Sequence, residues 1–149
     1  MKRTISISIL LLLITSATLF AEKRRNSLTV ANLPAISREF LNKYFHNIDI
    51  SYVEIDKDLF LVSGYEVILT DGTEINFTRK GEWIEVERNQ EPVPPAIIPK
   101  EIIAYVKAYF PKMLVLAIEK ESRKWEIKLN NGIELSFNRK GELIEVDAD

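Results

Sequence analysis

Cysteine is absent from the 149 residues, histidine occurs once, and no run of Lys and Arg forms a basic patch. Each lack removes a class of chemistry. Without thiols there is no disulfide framework, no thiolate nucleophile and no Cys-based zinc site, so the fold rests on packing alone. A single histidine, His46, cannot build a multi-histidine metal set; just past an expected helix end it reads as a loop histidine near a helix C-terminus. Five glycines are too scattered for a phosphate-cradling loop, and neither a nucleophile elbow nor a Ser-His-Asp set is legible. The expected absences are therefore catalytic residues, cofactors and metal ligands.

Long apolar stretches are also scarce, with one exception at the start. Lys2 and Arg3 precede an uncharged run from Thr4 to Phe20, followed by Ala21 and the charged Glu22-Lys23-Arg24-Arg25. This is the layout of a signal peptide over residues 1–21, shorter than a spanning helix needs. The alternative is an uncleaved N-terminal anchor. No cysteine follows the run, so lipid anchoring is excluded, and the expected location is the periplasm or the medium. Cleavage leaves 128 residues with 18 basic against 22 acidic side chains. That mild negative balance disfavours nucleic acid and, after signal cleavage, the membrane as partners.

What the sequence has is a repeat. Tyr65–Val86 and Trp125–Val146, 60 positions apart, share 12 of 22 residues, including Asn76–Glu87 "NFTRKGEWIEVE" against Ser136–Asp147 "SFNRKGELIEVD". Upstream the offset is 65: Leu33-Pro34 answers Ile98-Pro99, and Tyr44-Phe45 answers Tyr109-Phe110. The first copy thus carries five extra residues. Each copy reads as α-β-β-β-β. Pro34 and Pro99 suit a first helical position, and Ile36, Phe40, Leu41 and Tyr44 recur at helical spacing, as do Ile102, Ile103, Val106 and Phe110. Strands are expected over Ile48–Asp56 and Met113–Glu121. Alternating segments follow, with Asp71-Gly72 and Asn131-Gly132 as two-residue hairpin turns and Gly81 and Gly141 closing the next turns. The expected fold is α+β: a tandem repeat of one helix packed on a four-stranded antiparallel meander. Its parts are a flexible segment 22–31, repeat 1 at 32–88, a Pro-rich linker 89–96 and repeat 2 at 97–149. One such unit of ~55 residues is marginal alone, and two can join edge to edge.

The ordered set Leu33–Phe45 and Tyr65–Val86, repeated at Ile98–Pro99, Tyr109–Pro111 and Trp125–Val146, resembles the PepSY-like family of exported, β-lactamase-inhibitor-like proteins frequent in Bacteroidota. The resemblance covers the mature chain. It implies a fold like the β-lactamase inhibitor protein with one sheet face free. It also implies inhibition of an exported enzyme, although that inhibitor has disulfides and an aromatic binding face.

Alternation places Glu66, Ile68, Thr70, Glu74, Asn76, Thr78, Trp83 and Glu85 on the face opposite the helices. The second copy gives Glu126, Lys128, Asn130, Glu134, Ser136, Asn138, Leu143 and Glu145. Most of the carboxylates read as a solvated sheet face. Asp56-Lys57-Asp58 lacks the glycine and closing glutamate of a calcium loop. The copies differ at Trp83, which is Leu143 in the second, and in the inserted Asp58–Gly64, which is expected to lengthen the first hairpin with Gly64 at a bulge. An outward tryptophan is a candidate anchor; the alternative is packing on Ile68 or on the other copy's edge. The expected function is a non-catalytic, monomeric binding module for a protein in or beyond the periplasm, contacting it through Trp83, Ile68, Phe60, Leu61 and Glu85. A cation- or small-molecule-binding sensor using the acidic face is the alternative.

Overall fold

The computed structural model describes residues 29–58 and 61–148. The expected signal peptide lies outside the described residues, as do Leu59 and Phe60. Two helices, α1 (Ala35–Tyr44) and α2 (Lys100–Tyr109), each precede four strands: β1 (Ile50–Asp58), β2 (Leu61–Leu69), β3 (Glu74–Thr78) and β4 (Trp83–Glu87), then β5 (Val115–Lys120), β6 (Lys124–Leu129), β7 (Glu134–Asn138) and β8 (Leu143–Asp147). The class is α+β. All eight strands form one antiparallel sheet in chain order. Its two halves meet where β4 pairs with β5, in the register Glu85↔Glu119, Val86↔Ile118 and Glu87↔Ala117.

Pro34 and Pro99 hold the position before the first helical residue rather than the first itself, with extended ψ of 150° and 138°. A one-residue shift costs nothing, since proline's missing N–H is unneeded at either place. On α1 the buried face is Ser37, Phe40 and Leu41, whereas Ile36 is exposed. Ser37 takes the inward place because its hydroxyl donates to the Gly81 carbonyl at 3.0 Å. A Cβ at Gly81 would lie 2.6 Å from Pro34 Cβ, and one at Gly141 2.5 Å from Glu101 Cβ. The duplicated Arg-Lys-Gly-Glu turn is therefore a seat for the start of each helix.

The hairpin turns after β2 and β6 are not two-residue turns. Gly72 N–H donates to Leu69 O while Leu69 N–H donates to Thr73 O, and Leu129, Gly132 and Ile133 repeat the pattern. With φ of 81° and 88° at Gly72 and Gly132, these are three-residue loops: a type I turn closed by a left-handed glycine. Asp71 accepts from the Thr73 N–H and Asn131 from the Ile133 N–H, which favours this turn over type I′.

The register of β3 with β4 moves Trp83. Asn76 faces Glu85 but Phe77 faces Trp83, so Ile84 is the extra residue of a bulge. Strict alternation would put Trp83 outward and Ile84 inward. The bulge reverses them. Trp83 stacks on Phe40 of α1 at 5.7 Å, lies 6.1 Å from Trp125 and takes the Lys120 ammonium over its ring at 4.8 Å. It is a joint residue on the helix side, not an outward anchor beside Ile68. The five extra residues do lengthen the first hairpin: β1 pairs out to Asp58↔Leu61, with a register shift beside Gly64.

Between the halves, the chain is pinned rather than free. Arg88 donates to Asp71 Oδ2 at 3.0 Å, to Thr73 Oγ1 at 3.2 Å and to the Pro92 carbonyl at 2.9 Å. Val93 is buried and its N–H donates to Val115 O. Partial burial works to raise the Asp71 pKa, but the hydrogen bonds from Thr73 and Arg88 and the Arg88 charge outweigh it and hold the carboxyl below its ordinary 3.8.

Because Trp83 packs between α1 and the second half, Trp83→Ala is expected to cost about 2–4 kcal/mol. Ile84→Ala, on the bulge's other side, should cost about 1 kcal/mol or less. Urea unfolding of the two variants checks this, and the reverse order would refute the bulge assignment.

Candidate functional site on the helix-free sheet face

Both helices cover the same face of the sheet, whose core row is Val53, Val67, Ile75, Val86, Ile118, Ile127 and Leu135, all buried. One residue along each strand, the other face carries a row that crosses all eight strands: Glu54, Glu66, Asn76, Glu85, Glu119, Glu126, Ser136 and Glu145. Six of the eight are glutamates. At the strand spacing of about 4.8 Å the row is about 34 Å long. It is the repeat written across the sheet, since Glu54, Glu66, Asn76 and Glu85 recur as Glu119, Glu126, Ser136 and Glu145.

Like charges directly opposite one another oppose pairing by a few tenths of a kcal/mol to about 1 kcal/mol each. The two neutral members relieve the row locally: Asn76 Nδ2 donates to Glu85 at 2.8 Å and Ser136 Oγ to Glu126 at 3.0 Å. Lys124 adds a cation, 2.7 Å from Glu126 and 3.3 Å from Glu121. Its hydrogen bond, against the effect of burial and with help from Ser136 and Glu121, holds Glu126 below the usual carboxylate range. Glu119 has no such donor among the described residues. Burial, then the charges of Glu85, Glu121 and Glu126, push its pKa up, and Lys124 offsets this only in part.

Glu119, Glu121 and Glu126 each bring a carboxylate oxygen within 4.8 Å of the others. Beside them a depression of about 130 Å³ is lined by Glu85, Glu87, Ala117, Lys128 and Glu134. The next row on this face runs Tyr52, Ile68, Glu74, Glu87, Ala117, Lys128, Glu134 and Asp147, and of it Glu87, Ala117, Lys128 and Glu134 line the depression. The methyl group of Ala117 leaves room where the first copy has Tyr52. A second depression, along Asp56, Gly64, Glu66, Asn76, Ile84 and Glu85, flanks the row on its other side.

Of the residues expected to meet a partner, Ile68 and Glu85 lie in these helix-free rows. Leu61 is exposed at the end of the first hairpin. Trp83 is on the opposite side, and Phe60 is outside the described residues. Tyr52, beside Ile68, and the convergence of Glu119 with Glu121 and Glu126 were not singled out from sequence. The usable signal was the 65-residue offset, which pairs Glu54 with Glu119. No metal-ligating residue was named from sequence, the cation-binding alternative pointing only to the acidic face as a whole; these three carboxylates are placed where one cation could meet them all.

The PepSY-like family model, provisionally described as β-lactamase-inhibitor-like, matches residues 63–145. The chain belongs to that family. A Bacteroides thetaiotaomicron periplasmic protein, provisionally described as calcium-regulated, is 34% identical with a TM-score of 0.78; the match covers 82% of this chain and 95% of that one. A Bacteroides vulgatus periplasmic protein of unknown function is 35% identical with a TM-score of 0.76, over 80% and 95% of the two chains. Another from the same species is 30% identical with a TM-score of 0.78, over 85% and 99%. No curated protein matches the chain. Among the described residues, no helix is long and apolar enough to cross a membrane.

Ionised Glu119 works against folding, because a raised folded-state pKa means that the charged form destabilises the fold. That penalty is absent below the ordinary value of 4.5 and grows as pH rises through the folded pKa. Glu119→Gln is therefore expected to raise the melting temperature by about 1–3 °C at pH 7. The gain should vanish below pH 4.5. Scanning calorimetry across that range checks both.

Proposed function

We propose that the chain is a tandem duplication of an α-β4 unit, exported to the periplasm, that works as a non-catalytic binding module through its helix-free face. The observation that carries this reading is the line of outward side chains from Glu66 to Glu145 on the face against which neither helix packs, within which Ser136 is buried and at whose end Glu54 is buried. The partner it fits is an exported protein presenting Lys and Arg side chains. Tyr52 and Ile68 form an apolar step at one end of the neighbouring row, the kind of contact that adds affinity to an electrostatic match. Acid–base chemistry is poorly served here. The Ser136 hydroxyl does reach Glu126, but a carboxylate neutralised by Lys124 and held below its usual range is too weak a base to activate it.

A second reading has its own support. The carboxylates of Glu119, Glu121 and Glu126 converge, and one similar structure is described as calcium-regulated. Calcium takes oxygen ligands of this type, and its charge would relieve the repulsion on Glu119. In this reading it displaces the Lys124 ammonium and reports on export-compartment calcium.

Two experiments follow. Wild-type protein and a Glu85→Lys/Glu119→Lys variant are immobilised in parallel against a Bacteroides periplasmic extract. The wild type is expected to retain a partner that salt elutes, and the variant to lose it; equal retention by both, or none by either, overturns the binding-face reading. Titration calorimetry with calcium chloride is expected to give a saturable signal that Glu119→Gln/Glu126→Gln abolishes. A flat wild-type titration removes the cation reading.

A further inference from the structure

We propose that Leu28 seats in the apolar groove beside the end of α1, where it does for the first copy what Val93 does for the second. The groove is a depression of about 180 Å³ whose apolar lining is Val30, Leu41, Phe45, Ile48, Ile50 and Leu69. Each has a counterpart 65 or 60 positions on: Pro95, Val106, Phe110, Met113, Val115 and Leu129. The backbone around the two places is held by the same hydrogen bonds. Phe45 N–H donates to Leu41 O as Phe110 N–H does to Val106 O, Ile48 to Phe45 O as Met113 to Phe110 O, and Thr70 to Asp49 O as Asn130 to Leu114 O. Ile50 faces Leu69 as Val115 faces Leu129.

The chain also leaves each place by the same path. A 3-10 turn, Val30–Asn32 in the first copy and Pro95–Ile97 in the second, leads into the helix. Asn32 N–H donates to Thr29 O and Leu33 N–H to Val30 O, as Ile97 does to Pro94 O and Ile98 to Pro95 O. Thr29 and Pro94, which open the two turns, are both extended, with ψ of 160° and 122°. One residue earlier stands Val93 in the second copy and Leu28 in the first. Val93 is 1% exposed, belongs to the same core cluster as Val106 and Leu129, and donates its N–H to Val115 O at 2.9 Å. A shared path carries Leu28 to the matching place, with its N–H at Ile50 O. The side chain is apolar, like Val93, and removing it from water against six apolar neighbours is favourable. Leu28 is then a core residue of the first copy, and any cut made on export has to fall before it.

Nuclear magnetic resonance on the full chain as recovered after export tests this directly. Nuclear Overhauser contacts are expected between the Leu28 methyl groups and the Phe45 ring, and the Leu28 amide is expected to exchange as slowly as that of Val93. Leu28→Ala is expected to lower the melting temperature by about 5–10 °C. Leu28→Val, which writes the second copy's residue into the first, should lose less, and Asn26→Ala less than about 1 °C. Absence of the Leu28–Phe45 contacts overturns the proposal. So does their appearance only between differently labelled molecules, which would make a second copy the occupant. Equal melting of Leu28→Ala and wild type, or an exported chain whose mass places its start after Leu28, overturns it as well.

Discussion

The three-residue register between β4 and β5 is the constraint on which the molecule depends. It joins two four-stranded halves into one sheet and sets the helix-side core and the helix-free face at once. The core side of the joint is favourable: Val86 and Ile118 are both fully buried, each worth about 1.5–3 kcal/mol over exposure. On the other side Glu85 faces Glu119, at a cost of up to about 1 kcal/mol. The apolar term wins, so packing holds two carboxylates together that would otherwise separate. Around it, Arg88 ties Asp71 to Pro92, and Trp83 bridges Phe40 and Trp125. The first half's last strand is thereby fixed to the second half's first.

Much of this was legible from residue spacing, and the failures share one cause. The order of elements, the helix ends at Phe45 and Phe110, and the inward rows of Val67, Ile75 and Leu135 follow from periodicity because regular strands keep a strict period of two. A bulge breaks that period by one residue, and its position depends on what the neighbouring strand and helix need. Trp83 and Ile84 are both apolar, so no polar residue marks which of them turns inward. The choice falls to tertiary packing: Phe40 offers a ring for Trp83 to stack on. The turns show the same limit. Asp71-Gly72 and Asn131-Gly132 suit either a two- or a three-residue loop, and the hydrogen bond from the residue after the glycine selects the longer one.

The acidic row lay half hidden for another reason. Each glutamate, taken on its own strand, is an ordinary solvent-facing residue. Only the register of seven strand pairs shows that six of them share one line. The recurrence of the same residues 60 to 65 positions on makes the line self-consistent, because Glu66 and Glu85 share their face with Glu126 and Glu145. It also concentrates repulsion at the joint, where Glu119 has carboxylate neighbours from both halves. The fold answers this unevenly. Glu126 receives Lys124 and Ser136, and Glu85 receives Asn76, while Glu119 is left to be lifted by its surroundings. In the proposed reading, a carboxylate held by packing among others of its kind is a source of binding energy for a cation, whether a metal or a basic side chain.

Under the proposed binding role, specificity falls to the positions where the copies disagree. The row itself is nearly the same in both halves and cannot distinguish one end of the sheet from the other. The adjacent row can. Tyr52 and Ile68 in the first copy become Ala117 and Lys128 in the second, so one end presents an apolar step and the centre a depression edged by a lysine that reaches Glu87 at 4.0 Å. A partner that read charge alone could slide along the row by one repeat; one that fills the space over Ala117 cannot, because Tyr52 occupies the equivalent place. The sequence difference that looked most informative, Trp83 against Leu143, serves the joint instead. In the proposed reading, the differences that bear on partner choice are the quieter exchanges of Tyr52 for Ala117 and Ile68 for Lys128.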